Sequence, residues 1–147
     1  MTKRKVYGVL FVFMLCFIWG NSMLSQEISG AISHFVAELL GGESGSTDEG
    51  HFLVRKLAHL TEYAILGAIS YLFLDSLTND HWRKHLEASL VGVATPLIDE
   101  TIQIFSGRGP ALTDVWIDVL GYSLGAITVF LIFYIAFLRA RKNKSSD

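Results

Sequence analysis

The sequence predicts an all-α, polytopic membrane protein with four transmembrane helices and an amphipathic interfacial helix between the first and second. Three observations carry this. Hydrophobic residues make up 51% of the 147-residue chain against 18% charged, and the mean hydropathy of +0.42 points to lipid as the solvent. The charges are segregated, leaving several nearly uncharged windows of about 18–25 residues, the length needed to cross a bilayer. The bases are clustered as well: apart from Arg55, Lys56 and Arg108, every Lys and Arg lies in the N-terminus, the 75–85 turn or the C-terminal tail. Such a length reads as a single domain over residues 1–147. No basic face suggests nucleic-acid binding. The lone Cys16, inside an apolar run, excludes an internal disulfide.

The first span follows Lys3-Arg4-Lys5 and runs from Val6 to about Met23. A cleaved leader competes with that reading, but Trp19-Gly20-Asn21-Ser22 is a poor small-residue cleavage site, so a retained helix is expected. Residues 24–51 carry Glu27, Glu38, Glu43, Asp48 and Glu49 and no base. Within them Ile28, Ala31, Ile32, Phe35, Val36, Leu39 and Leu40 recur at helical spacing, which predicts an amphipathic helix lying in the interface. Gly41-Gly42-Glu43-Ser44-Gly45-Ser46 follows as a joint.

The second span is expected over residues 52–74 and the third over 86–105. Asp75 and Asp80 between them read as solvated turn residues. Pro96 removes a backbone donor from the third span, which predicts a local kink. Ser106-Gly107-Arg108-Gly109-Pro110 is a tight connection, the fourth span covers 111–138, and a basic tail occupies 139–147. The positive-inside rule places the basic segments, and with them both termini, in the cytoplasm.

That topology converts scattered charges into a site. Arg55, His59 and Glu62 fall at i, i+4 and i+7, within roughly a 60° arc of one helix face. They lie in the outer third of the second span. Asp99, Glu100 and Gln103 end the third span at the same level, Asp114 and Asp118 begin the fourth, and Arg108 sits in the loop between. A charge near a helix centre costs roughly 2.5–3.5 kcal/mol on insertion scales, so such groups face a bundle interior or a wet cavity. Asp114, Asp118, Gly121 and Gly125 share a face, and the two glycines permit close helix approach, so the packing face carries the carboxylates.

Each residue also has a plainer reading. Lys56 and Arg55 suit interfacial residues snorkelling to lipid phosphates. His59 alone suits a hydrogen-bonded packing residue. Glu62, Glu100 and Asp114 suit structural partners of Arg55 and Arg108 that fix helix register. Asp99 and Glu100 diverge by about 100° on a helix, so which faces the site stays open. Asp118 is equally a site residue or a helix–helix hydrogen bonder, and the loop acids suit a solvated face.

Taken together, Arg55-Lys56-x-x-His59-x-x-Glu62-Tyr63, Asp99-Glu100-x-x-Gln103 followed by Arg108, and Asp114 with Gly121-x-x-x-Gly125 resemble the VanZ-like family over about residues 52–125. The resemblance implies a membrane protein of the Gram-positive cell envelope linked to glycopeptide antibiotic resistance, teicoplanin in particular. It passes site candidacy to His59, Glu62, Glu100, Gln103, Arg108 and Asp114. The chain departs from the expected pattern at Asp118, where Asn is favoured, and at Ser106, where Pro often precedes Gly-Arg.

Three functions fit these residues. In the first, an outward-facing polar site binds a membrane-lipid head group, a lipid-linked cell-wall precursor or a lipoglycopeptide. Arg55 and Arg108 would hold phosphate or carboxylate, and the acids and Gln103 would accept hydrogen bonds. In the second, the protein is a membrane enzyme acting on an envelope lipid at the outer leaflet. His59, Glu62, Glu100 and Asp114 are then the candidate acids, bases or ligands of a divalent metal. In the third, the polar layer sets only packing or assembly. Oligomeric state is not legible.

Overall fold

A computed structural model describes residues 2–24, 28, 30–31, 35, 48–106 and 111–144, with only the backbone for 48–52 and 144. All regular structure among them is helical: α1 (Lys3–Ser22), α2 (Asp48–Asp75), α3 (His81–Phe105) and α4 (Leu112–Lys144). Most of the expected interfacial helix, and Arg108 with the loop around it, lie outside the described residues.

Three of these helices are long and apolar enough to cross a membrane: α1, residues 53–75 of α2 and residues 112–143 of α4. This narrows the expectation of four like spans. α3 has the length, 25 residues, but its last turns carry Asp99, Glu100 and Gln103, which lower its hydropathy. All three are buried against the other helices. α3 is therefore better described as a bundle helix with an apolar outer face, on which Leu90, Val93, Leu97 and Ile98 are exposed.

Two boundaries differ from expectation. α2 begins at Asp48, inside the segment read as loop. α4 continues through the basic tail to Lys144, because Ala, Arg and Lys favour helix and no Gly or Pro interrupts the stretch after Gly125. At about 1.5 Å per residue its 33 residues are longer than the roughly 30 Å of hydrocarbon in a bilayer. α3 runs unbroken through buried Pro96. Asp80 starts that helix by accepting from Trp82 N at 3.0 Å and Arg83 N at 3.3 Å, capping two amides that have no helical partner.

The frame of the bundle is the α2–α4 pair, which makes the most extensive contact. Glycine permits it. A Cβ on Gly121 would lie 2.5 Å from the Leu60 carbonyl oxygen, and Cβ atoms on Gly125 and Gly67 would strike the backbones of Ala64 and Tyr122. Beside this seam Tyr63 and Leu66 pack with Met14 and Ile18 of α1 and Tyr122 of α4. The Tyr122 hydroxyl satisfies its polar tip on Ser70 Oγ at 2.7 Å. α1 is held lower down by Phe73, which stacks on Phe11 at 5.6 Å and fills the space above Gly8.

One expectation about the 75–85 turn is corrected. Asp75 is not simply solvated: it pairs with Lys84, whose side chain is buried and lies 5.7 Å above the Tyr71 ring. The turn brings the two within reach across nine positions, so part of the positive charge counted there is neutralised locally.

Candidate functional site

The polar residues gather at one end of the bundle, where α1 and α3 finish and α4 begins. α1 contributes Asn21 and Ser22, its final residues. α2 contributes Arg55, Lys56, His59 and Glu62. α3 contributes Asp99, Glu100 and Gln103, and α4 contributes Asp114 and Asp118. Residues 77 positions apart meet directly: Ser22 Oγ donates to Asp99 Oδ1 at 2.6 Å.

The cluster has two layers. In the inner one, His59 Nδ1 lies 3.4 Å from Asp118 Oδ1 and 4.0 Å from Asp99 Oδ2. Asp99 and Asp118 are essentially sealed, at 0% and 1% exposure. Asp99 is well anchored, since Gln103 Nε2, one turn on, donates to Oδ2 at 3.1 Å in addition to the Ser22 bond. Asp118 is the opposite case: neither of its buried oxygens accepts a hydrogen bond, and His59 Nδ1 is likewise buried without one. Glu62, on the face of α2 that carries His59, accepts from Asn21 Nδ2 at 3.4 Å through Oε1, while its Oε2 is buried and unbonded.

The outer layer is more open. Arg55 Nη2 and Lys56 Nζ approach the Asp114 carboxylate at 3.7 and 3.5 Å. The Arg55 side chain retains 36% exposure, so this charged layer forms a rim that reaches solvent. A narrow crevice lined by Arg55, Lys56, His59, Asp114, Ile117 and Asp118 joins this rim to the inner layer. A separate cavity of about 400 Å³, lined by Tyr71, His85, Gly92, Tyr122 and Phe130 among others, shares no residue with the charged cluster.

The structure also separates residues that the sequence leaves together. Asp99 faces His59, whereas Glu100 turns to the start of α4. There its Oε1 accepts from the Ala111 amide next to the helix N-terminus, where a carboxylate meets the positive end of the dipole. Asp114 and Asp118, one turn apart, divide between the rim and the inner layer. Among the described residues, His59, Asp99 and Asp118 each offer a metal-ligating atom, all within 4.8 Å of one another. That grouping differs from the His59, Glu62, Glu100 and Asp114 set considered from sequence.

Sequence reasoning missed Asn21 and Ser22 and noted Ser106 only as a departure from the family pattern. Ser106 Oγ donates to the Ser22 carbonyl at 3.0 Å and so ties the ends of α1 and α3 together. The available signal was the pairing of two polar residues at the end of an otherwise apolar span. Tyr63, fully buried with its hydroxyl unbonded, also belongs to this region of α2.

A family model described as VanZ/LLP1 matches residues 6–136. No curated protein and no solved structure matches the chain.

Proposed function

The chain belongs to the VanZ/LLP1 family, and from that premise we propose that it is a multi-pass protein of the bacterial cell envelope whose polar site binds the anionic head group of an envelope lipid. All four helices cross the membrane in this reading, with α3 shielding its carboxylates inside the bundle. Both termini are cytoplasmic, as the positive-inside rule directs, and the site opens toward the extracytoplasmic face.

The observation that carries the reading is the Arg55–Lys56 rim. Arg55 and Lys56 both approach the Asp114 carboxylate at a partly exposed mouth. A guanidinium presents paired donors suited to phosphate or carboxylate, and Arg55 keeps 36% exposure at that mouth. Lipid phosphates and lipid-linked cell-wall precursors both offer that chemistry at this depth. The effect on teicoplanin susceptibility would follow from occupancy of the site by such a precursor or by the drug itself.

The test is a titration of the detergent-solubilised protein with a short-chain polyprenyl phosphate and with the corresponding uncharged alcohol. Saturable binding of the phosphate alone, lost in Arg55→Ala while the thermal midpoint is kept, is the expected result. Equal binding of both compounds, or an unaffected Arg55→Ala, would refute the reading.

A second reading, an enzyme acting on the same lipid, is favoured by the buried His59–Asp118 contact, an arrangement suited to moving a proton or holding an activated water. Turnover of a defined lipid by the wild type and its loss in His59→Ala would distinguish it.

A further inference from the structure

We infer that His59, Asp99 and Asp118 form a binding site for one divalent transition-metal ion, of the Zn²⁺ or Mn²⁺ type, inside the helix bundle. The inference does not rest on the head-group reading, because it concerns the buried inner layer and needs neither Arg55 nor Lys56.

Three separate features support it. The first is spacing. Ligands held about 2.0–2.2 Å from a common ion lie roughly 3–4.4 Å from each other. His59 Nδ1 stands 3.4 Å from Asp118 Oδ1 and 4.0 Å from Asp99 Oδ2, both within that range, and the full set lies within 4.8 Å, so an ion would draw the widest pair slightly together. The second is unmet bonding. Asp118 is 1% exposed, yet both its oxygens and the facing His59 Nδ1 lack hydrogen bonds. A buried carboxylate whose facing imidazole nitrogen, 3.4 Å away, is poorly aligned to donate is costly, and a cation between the two satisfies both at once.

The third feature is support from behind. Asp99 is oriented by Ser22 Oγ on one oxygen and Gln103 Nε2 on the other, leaving one lone pair on each for an ion. Groups that hold a ligand in place in this way usually accompany metal sites. The charge balance is also favourable: two carboxylates, a neutral imidazole and a dication sum to zero, which lowers the cost of burying the group. The imidazole selects against Mg²⁺ and Ca²⁺, which take oxygen donors. With three protein ligands, the ion keeps a position for water or a ligand oxygen.

The test uses untagged, full-length protein in detergent, stripped with a chelator and titrated with Zn²⁺ and with Mn²⁺. Metal content is read by mass spectrometry and folding by size exclusion and thermal midpoint. The expected result is saturable binding of one ion per chain with a raised midpoint. Asp118→Asn and His59→Gln should weaken it at least about tenfold, and Ser22→Ala roughly tenfold to a hundredfold if it acts as an orienting group. Failure of folded wild type to bind either ion in a one-to-one ratio overturns the assignment, as does equal binding by folded Asp118→Asn and His59→Gln. Should those variants not fold, X-ray absorption on the loaded wild type decides. One imidazole with oxygen neighbours supports the site, and a shell without imidazole overturns it.

Discussion

Ser22 and Asp99 share the bond that joins the end of α1 to the end of α3, 2.6 Å long and shielded from solvent. Its removal leaves a carboxylate oxygen buried without its hydroxyl donor, and desolvation of an unpaired acceptor dominates the cost. Ser22→Ala should lower stability by about 1–3 kcal/mol. Ser106→Ala should cost less, because the Ser106 hydroxyl is only part-buried and its loss uncovers carbonyls rather than a carboxylate. Thermal unfolding of the two variants in one detergent checks the order.

The glycine seam gives a sharper contrast. Gly20 has open space where a Cβ would go, whereas Gly125 has the Ala64 backbone there. Gly20→Ala should be neutral or stabilising by up to about 1 kcal/mol through helix propensity. Gly125→Ala should destabilise by about 1–3 kcal/mol or more, since rigid backbone must move. Equal midpoints for the two variants would contradict the close α2–α4 approach.

At the far end of the bundle, Lys84→Met strands the Asp75 carboxylate. Breaking a fully buried pair costs about 3–5 kcal/mol, but Asp75 keeps 37% exposure and water screens part of the loss. A loss of about 1–2 kcal/mol is therefore expected for Lys84→Met. Adding Asp75→Asn should recover at least half of it, which a double-mutant cycle measures.

Topology can be read with thiols, because Cys16 is the lone cysteine and its side chain lies on the exposed face of α1. In a Cys16→Ser background, Thr113→Cys should react with a membrane-impermeant reagent on intact cells. Asn79→Cys should react only after the membrane is opened. The reverse pattern would invert the orientation and remove the site from the outer face.

Susceptibility to teicoplanin and vancomycin in a Gram-positive host tests the physiological role. The wild type should shift teicoplanin sensitivity, and Arg55→Ala and His59→Ala at matched membrane levels should abolish the shift. Glu100→Ala should act mainly by lowering the protein level, since its carboxylate binds the start of α4 rather than the inner layer.

Composition and charge segregation are bulk properties, and they made the helices and the gathering of polar residues at one end of the bundle legible from sequence. Hydropathy sets α3 apart from the three more apolar helices, but it does not show that its acids are buried against the other helices, because no window average contains that packing. The choice between Asp99 and Glu100 was undecidable for a related reason: 100° of rotation distinguishes them, and only the positions of α1 and α4 say which way is inward. Asp114 and Asp118 lie on one face, so periodicity joined them, while depth divided them between the rim and His59. Asp75 looked like a solvated turn residue because its partner Lys84 is set on the next helix, nine positions on. Family membership was read from spaced motifs and stands on the match over residues 6–136.

Gly121 lies one turn beyond Asp118 and against Leu60, the neighbour of His59. A close approach of α2 and α4 is thus adjacent to the imidazole and carboxylate it holds apart. A methyl group added there would act as a spacer, widening the gap between two functional groups without touching either. Any survey of this protein confined to residues with reactive side chains would pass over that position. Its leverage on the site comes from having no side chain at all.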